Sequence, residues 1–267
     1  PKMHLMQDSL SSSACLTESS VRVSRKLSSA MLSELYEIVD IGELFTLLSD
    51  ESISGRDIYS LVLPKVSFTK VSKFKGKTKN KDNNTVLVRN GRLIKGMLDK
   101  NSLGANDAGL VMETIRLFGN KKTCNMLTMI PRMLSRWFQE RGFSTGVGNY
   151  MLQEKLNYKI IGKIINGLKE VDEIIDKAAD NNLIVRQGNS IVQQLESDIM
   201  AKVNQISNTV GDIVNNEGIV EGNALWWMLN SGAKGSTTNT RQVSGCVGQI
   251  VVEGNRISRN YGKRSLP

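Results

Sequence analysis

The longest regular hydrophobic pattern lies in the second half of the chain. Residues 154–180 carry Ile160, Ile161, Ile164, Ile165, Leu168, Val171, Ile174, Ile175 and Ala178. Residues 190–216 carry Ile191, Leu195, Ile199, Val203, Ile206, Val210 and Ile213. Both stripes advance by threes and fours, as one buried face of a helix does. An Asn- and Gly-rich stretch, Asn181-Asn182 to Asn189, separates them. Ser190 and Gln193 stand at capping-box spacing, which marks where the second helix starts. The pattern predicts an antiparallel helical hairpin whose arms are about 40 Å long at ~1.5 Å per residue. On physics alone this is an interaction rod or half of a coiled coil.

The first half alternates shorter signals. Between Thr85 and Asp99, two apolar runs flank Asn90-Gly91, a pair that supplies the two positive φ angles of a tight hairpin turn. The second strand brings Asp99 and Lys100 to its end, where Lys100 either points into a cavity or is simply exposed. Two helices are expected next. Asn106 or Asp107 caps the first, Leu110, Val111, Ile115 and Phe118 line it, and Gly119 stops it. The second runs from Asn120 to Gly142, with Pro131 expected to kink it. Arg141 to Asn149 reads as a glycine-punctuated turn in which Asn149 accepts from nearby backbone N–H groups.

Before that hairpin the signals are weaker. Residues 1–30 are serine-rich and poor in core residues after Leu10, so an extended start and a loop are expected. Met31 to Leu48 has helical spacing, with a break near Ile41-Gly42. A short helix is expected after Ser54, with Asp57 at its start and Pro64 ending the segment. Val66 to Lys81 holds six lysines, five of them on alternate positions from Lys73 to Lys81. A solvated loop or a protected sheet edge fits such like-charge alternation better than a nucleic-acid contact does.

Ser231 to Arg256 holds five glycines with Lys234 and Arg241 among small polar residues. Little in it can fill a core before Val247, Ile250, Val251 and Val252. Such glycines serve either a mobile loop or a backbone that cradles an anion. A P-loop is excluded, because Lys234 precedes Gly235 and no strand-then-helix unit is expected around it. A short helix with Leu225, Trp226, Trp227 and Leu229 leads in, its tryptophans serving as packing residues.

Composition narrows the function. The 267 residues carry a formal charge of +9, which favours a polyanion or acidic partner. Cys15, Cys124 and Cys246 are isolated and His4 is the only histidine, so no zinc site is expected. No apolar run approaches the roughly 20 residues of a membrane span, and no membrane partner is expected. No secretory signal pattern is recognised. The chain begins at Pro1 and stops on a motif, so it reads as a piece of a longer polypeptide.

The stretch SGAKGSTTNTRQVSGCVGQIVVEGNR (231–256), followed by Arg264-Ser265-Leu266-Pro267, resembles the segment ahead of the bridge helix in the largest subunit of multisubunit DNA-dependent RNA polymerases. VGQIVVEGNR is similar to the eukaryotic, archaeal and large-DNA-virus type. Three further matches follow the family's chain order: Gln7 to Leu10, GMLDKNSLGA (96–105) and RGFSTGVGN (141–149). The segment ISGRDIYSLVLP also resembles the short helix ahead of the family's pore-domain strands. Asn149 stands where the family usually has Asp.

The resemblance implies an α+β fold: a small β-containing pore lobe, then a mostly α lobe with a long antiparallel helical hairpin, the funnel. It implies a pore-like domain over 1–104, a helical connection over 105–150, the funnel hairpin and following helix over 151–230, and a glycine-rich segment over 231–267. It implies template-directed polymerisation of ribonucleoside triphosphates by the assembled enzyme. The Mg ions of that reaction would be bound by a carboxylate motif outside this chain, which alone would be inactive and hold no catalytic or metal residue. Lys100 and Lys234 match lysines where nucleotides enter. The family has a second lysine where Asn101 stands, so less charge is expected there. Arg241, Gln242, Cys246 and Gln249 match bridge-helix-proximal positions. Asn181, Asn182 and Asn189 fall at the hairpin tip, where a transcript-cleavage or elongation factor would dock. Further implied partners are the other polymerase subunits, especially the second-largest, the DNA template and the RNA transcript. The implied compartment is the nucleus, or a virion or cytoplasmic viral factory for a large DNA virus. The rival reading is a non-enzymatic basic helical module that binds nucleic acid or protein.

Overall fold

Serines that read as a loop build the first helix. Asp8–Leu16 (α1) is helical, and every residue from Leu10 to Leu16 is buried. The Ser12 and Ser13 hydroxyls donate to the Asp8 and Ser9 carbonyls one turn back, and Thr17 Oγ1 donates to Ser13 O. Ser13 Oγ also meets Tyr59 Oη at 3.0 Å inside the core. Small side chains that satisfy themselves locally can be buried at little cost. The loop expected to follow the extended start within 1–30 is therefore corrected to a buried helix, a strand and a second helix.

The computed structural model describes residues 3–35, 42, 48–252 and 254–256. Most of the helix expected over 31–48, and the motif at 264–267, lie outside them. The fold is α+β, and the chain divides into two units.

The first unit comprises residues 1–145 and 221–234. After α1 come Arg22–Ser24 (β1), Arg25–Leu32 (α2), Ser52–Ser54 (β2) and Gly55–Ser60 (α3). β1 and β2 pair antiparallel. Ser24 and Ser54 cap the helices that follow them, so the expected helix start moves from Asp57 to Ser54. Phe68–Val71 (β3), Thr85–Arg89 (β4) and Arg92–Lys95 (β5) form an antiparallel sheet in the order β3-β4-β5. The β4–β5 turn is the expected one, with Asn90 at φ 48° and Gly91 at φ 81°. β3 is an edge strand, and the lysine-rich chain leaves the sheet after it.

Lys100–Leu103 (α4) and Leu110–Arg141 (α5) follow. α5 leaves helical geometry only at Gly119, so the two expected helices meet there. Its N-cap is Gly109, not Asn106 or Asp107. Asn106 instead donates to the Lys100 and Asn101 carbonyls and closes the end of α4. The helix runs on through Pro131, and non-helical dihedrals within it occur at Gly119. The turns on either side of Pro131 are buried through Met129, Ile130, Met133 and Leu134, and this packing holds the helix. Ala224–Ser231 (α8, numbered after the two hairpin arms) completes this unit, packed on α1.

The second unit comprises residues 146–220 and 235–267. Its frame is the antiparallel pair Glu154–Ala179 (α6) and Ile191–Ile213 (α7). The capping box at Ser190 and Gln193 forms as expected. A β-carbon on Gly167 would sit 2.4 Å from Ile206 side-chain atoms, so this glycine sets how closely the arms approach. Ion pairs Lys202–Glu170 and Lys159–Glu217 tie α6 to the returning chain. Thr237–Ser244 (α9) packs on α7, and Val251–Val252 (β6) pairs with Asn255–Arg256 (β7). α9 is not evident in the apolar pattern. Its Ser236 cap and the Thr240 Oγ1 bond to Asn215 Oδ1 at 2.7 Å hold it. Val247, Ile250, Val251 and Val252 are exposed and fill no core.

Candidate functional site

Asp99 organises the first unit's candidate site. Its side chain is fully buried, beyond the end of β5 and at the N-cap of α4. One oxygen accepts from Ser102 N and Ser102 Oγ, both at 3.1 Å. The other accepts from Ser72 Oγ at 3.0 Å and from Lys73 N at 2.5 Å. One side chain thus fixes both the first turn of α4 and the loop after β3. Lys100 is the first residue of α4 and is exposed.

The loop after β3 is anchored a second time. Phe74 is buried against the rings of Trp226 and Trp227 on α8, with centroids 5.3 and 5.7 Å away. Trp227 donates Nε1–H to Gly222 O. The tryptophans pack, as the sequence suggests. Lys77 Nζ donates to Asn230 Oδ1 at 2.8 Å. Partial burial, and then the neighbouring Lys73 charge, lower the Lys77 pKa.

α8 ends at Gly232, whose φ of 74° is the left-handed conformation that glycine adopts without strain. A β-carbon there would lie 2.8 Å from Lys100 Cβ and 2.9 Å from Lys73 Nζ. The chain turns here because Ala233 N and Lys234 N both return to Met228 O. Exposed Lys234 follows two residues after Gly232. Lys100 and Lys234 therefore belong to one neighbourhood, with Lys73 and Lys77 beside them. Among the described residues, none of the four forms an ion pair with a carboxylate. A group of uncompensated ammonium ions raises the local positive potential and favours a multiply charged anion. Asn101 is half-buried, and its amide donates to Val71 O at 3.4 Å.

The other nominated residues lie in the second unit. The Arg241 side chain runs over Gly211 and donates to Val247 O, while its buried Nε has no partner. Cys246 packs against the cluster of Ile160, Val210, Ile213 and Val214, and burial raises its pKa while the Arg241 charge opposes the rise. Gln242 is exposed, and Gln249 donates to the adjacent Ile250 carbonyl. At the hairpin tip, Asn181 adopts φ 54° and Asn182 N donates to Lys177 O. Asn189 Nδ2 donates to Oε1 of the buried Gln194, so this asparagine holds the loop. Asn149 Oδ1 accepts from Gly146 N at 2.8 Å, as expected.

Among the described residues, no group of three or more His, Cys, Asp or Glu side chains could hold a metal ion. No described helix is long and apolar enough to cross a membrane. The site residues not nominated from sequence are Lys73, Lys77 and Asp99. The Asp99-x-x-Ser102 spacing is a visible capping signal for the last. Nothing local marks Lys73, because its position depends on contacts to distant residues.

Comparison with known families decides the relationship. RNA polymerase Rpb1, domain 3, matches residues 1–150. The chain belongs to the RNA polymerase Rpb1 family. RNA polymerase Rpb1, domain 4, matches residues 174–267, in the same order. DNA-directed RNA polymerase III subunit RPC1 of Debaryomyces hansenii is 28% identical over 226 residues, 84% of this chain and 15% of the relative. DNA-directed RNA polymerase subunit Rpo1N of Halococcus morrhuae is 29% identical over 182 residues, 68% of this chain and 52% of the relative. The Rpo1N of Halobacterium salinarum is 28% identical over 220 residues, 81% of this chain and 22% of the relative. The chain thus spans at most about half the length of these Rpb1-family relatives.

Proposed function

We propose that this chain forms the pore and funnel part of the largest subunit of a DNA-directed RNA polymerase. In this reading Lys100 and Lys234 draw nucleoside triphosphates toward the chemistry. One observation carries it: Gly232, two residues before Lys234, lies against Lys100, although the two lysines are far apart in sequence. Family membership favours this over a free-standing basic module. The carboxylates for Mg, the second-largest subunit, the template and the transcript belong to the assembled enzyme. The domain divisions proposed from sequence, over 1–104, 105–150, 151–230 and 231–267, follow the same reading. The compartment would be the nucleus of a eukaryotic source, or a virion or viral factory of a large DNA virus.

The test is elongation by the assembled polymerase over a nucleotide titration. Lys234→Ala removes an exposed charge, so it should cost at most about 0.5 kcal/mol of stability. Loss of a charge-assisted phosphate contact should weaken nucleotide handling by roughly 1.5–3 kcal/mol. KM should therefore rise while Tm barely moves. Superimposable titration curves for Lys234→Ala and wild type would overturn the reading.

The hairpin tip, with exposed Asn181 and Asn182, is proposed as the docking surface for a transcript-cleavage or elongation factor. Its support is the long pair of arms that holds this loop out. Arg241, Gln242, Cys246 and Gln249 are proposed to face the bridge helix. Replacing 181–189 with a Gly-Ser linker should abolish factor-stimulated transcript cleavage; unchanged stimulation would exclude the tip.

A further inference from the structure

We infer that Lys73 is a third phosphate-contacting cation of the Lys100–Lys234 neighbourhood. This rests on the reading of that neighbourhood as a triphosphate site. The alternating lysines from Lys73 to Lys81 resemble one another in sequence, but the fold treats Lys73 differently. Its backbone N–H is held by the buried Asp99 carboxylate. The next residue, Phe74, is buried against two tryptophans. Its ammonium is left exposed and points to the same spot over Gly232 that the Lys100 stem covers. A side chain at position 232 would collide with both lysine side chains, and glycine lets them approach the turn.

Fixed backbone and free ammonium together suit a binding residue. A solvated lysine needs no such anchoring. The Lys73 and Lys77 ammonium ions are near enough to repel one another, and an anion held beside Lys73 relieves that repulsion. Lys77 reports the same crowding, since the Lys73 charge helps to lower its pKa. A linear triphosphate carries several charges over a short length and can touch Lys73, Lys100 and Lys234 together. A nucleic-acid backbone offers single charges at wider spacing.

The experiment measures binding of inorganic tripolyphosphate, and separately of a short RNA oligonucleotide, to the 267-residue chain by calorimetry at low ionic strength. Lys73→Gln and Lys100→Gln should each weaken tripolyphosphate binding about tenfold, as loss of one charge-assisted bond does. Lys79→Gln, in the same run, should leave it unchanged. The double variant should lose less than the product of the single losses, because both side chains touch one ligand. Thermal midpoints of Lys73→Gln and wild type should coincide, because glutamine keeps the backbone N–H that Asp99 holds. Wild-type binding by Lys73→Gln beside weakened binding by Lys100→Gln would overturn the inference alone. No tripolyphosphate binding by the unsubstituted chain, or none lost in Lys100→Gln and Lys234→Gln, would overturn the parent reading. A Lys73-dependent preference for RNA would overturn triphosphate as the occupant.

Discussion

The Asp99 carboxylate accepts the backbone N–H of Lys73 at 2.5 Å, joining two segments that are distant in sequence. The same side chain caps α4, so Lys100 and Lys73 are placed by one buried group. Both oxygens accept hydrogen bonds, and at least one bond to each comes from a backbone N–H that has no freedom to turn away.

Asp99→Ala is therefore expected to destabilise the chain by about 2–4 kcal/mol, through several orphaned buried donors. Asp99→Asn should also be destabilising despite its matching shape, because its NH2 group must face a backbone N–H. Urea denaturation of both variants checks this. An asparagine variant as stable as wild type would show that only one oxygen matters.

The helical hairpin was legible because its signal is periodic and local. Stripes at three- and four-residue spacing gave both arms, and Ser190 with Gln193 marked a start that the structure keeps. Asn90-Gly91 was legible for a similar reason, since the turn type demands those φ angles. α1 was not, because serine is read as a loop former while its hydroxyl can satisfy itself one turn back. α9 was hidden by its polar composition and is held by caps and one bond to Asn215. Lys100 and Lys234 were nominated through family resemblance, not through spacing. Lys73 could not be singled out from a run of alternating lysines. What distinguishes it is the distant partner Asp99, a relationship no local pattern encodes.

The last prediction concerns pH. Arg256 on β7 donates to both oxygens of Glu196 on α7, at 2.9 and 2.8 Å. The hydrogen bonds from Arg256 hold the Glu196 carboxyl below its ordinary value of 4.5; its partial burial opposes this and the Arg256 charge adds to it. A carboxyl whose folded pKa is depressed contributes stability that is present above the unfolded pKa and lost as pH falls through the folded one. The contribution should therefore be complete at pH 7, begin to fall below about 4.5, and vanish once the folded carboxyl is protonated. Glu196→Gln mimics the protonated side chain. The Tm difference between wild type and Glu196→Gln should be positive at neutral pH and shrink toward zero under acid conditions. It should also shrink in strong salt, because the Glu196 side chain is 41% exposed and the pair is open to screening. Arg256→Gln should remove the same pH-dependent difference, since both substitutions break one interaction. A difference independent of pH would mean that Glu196 acts through packing and not through its charge.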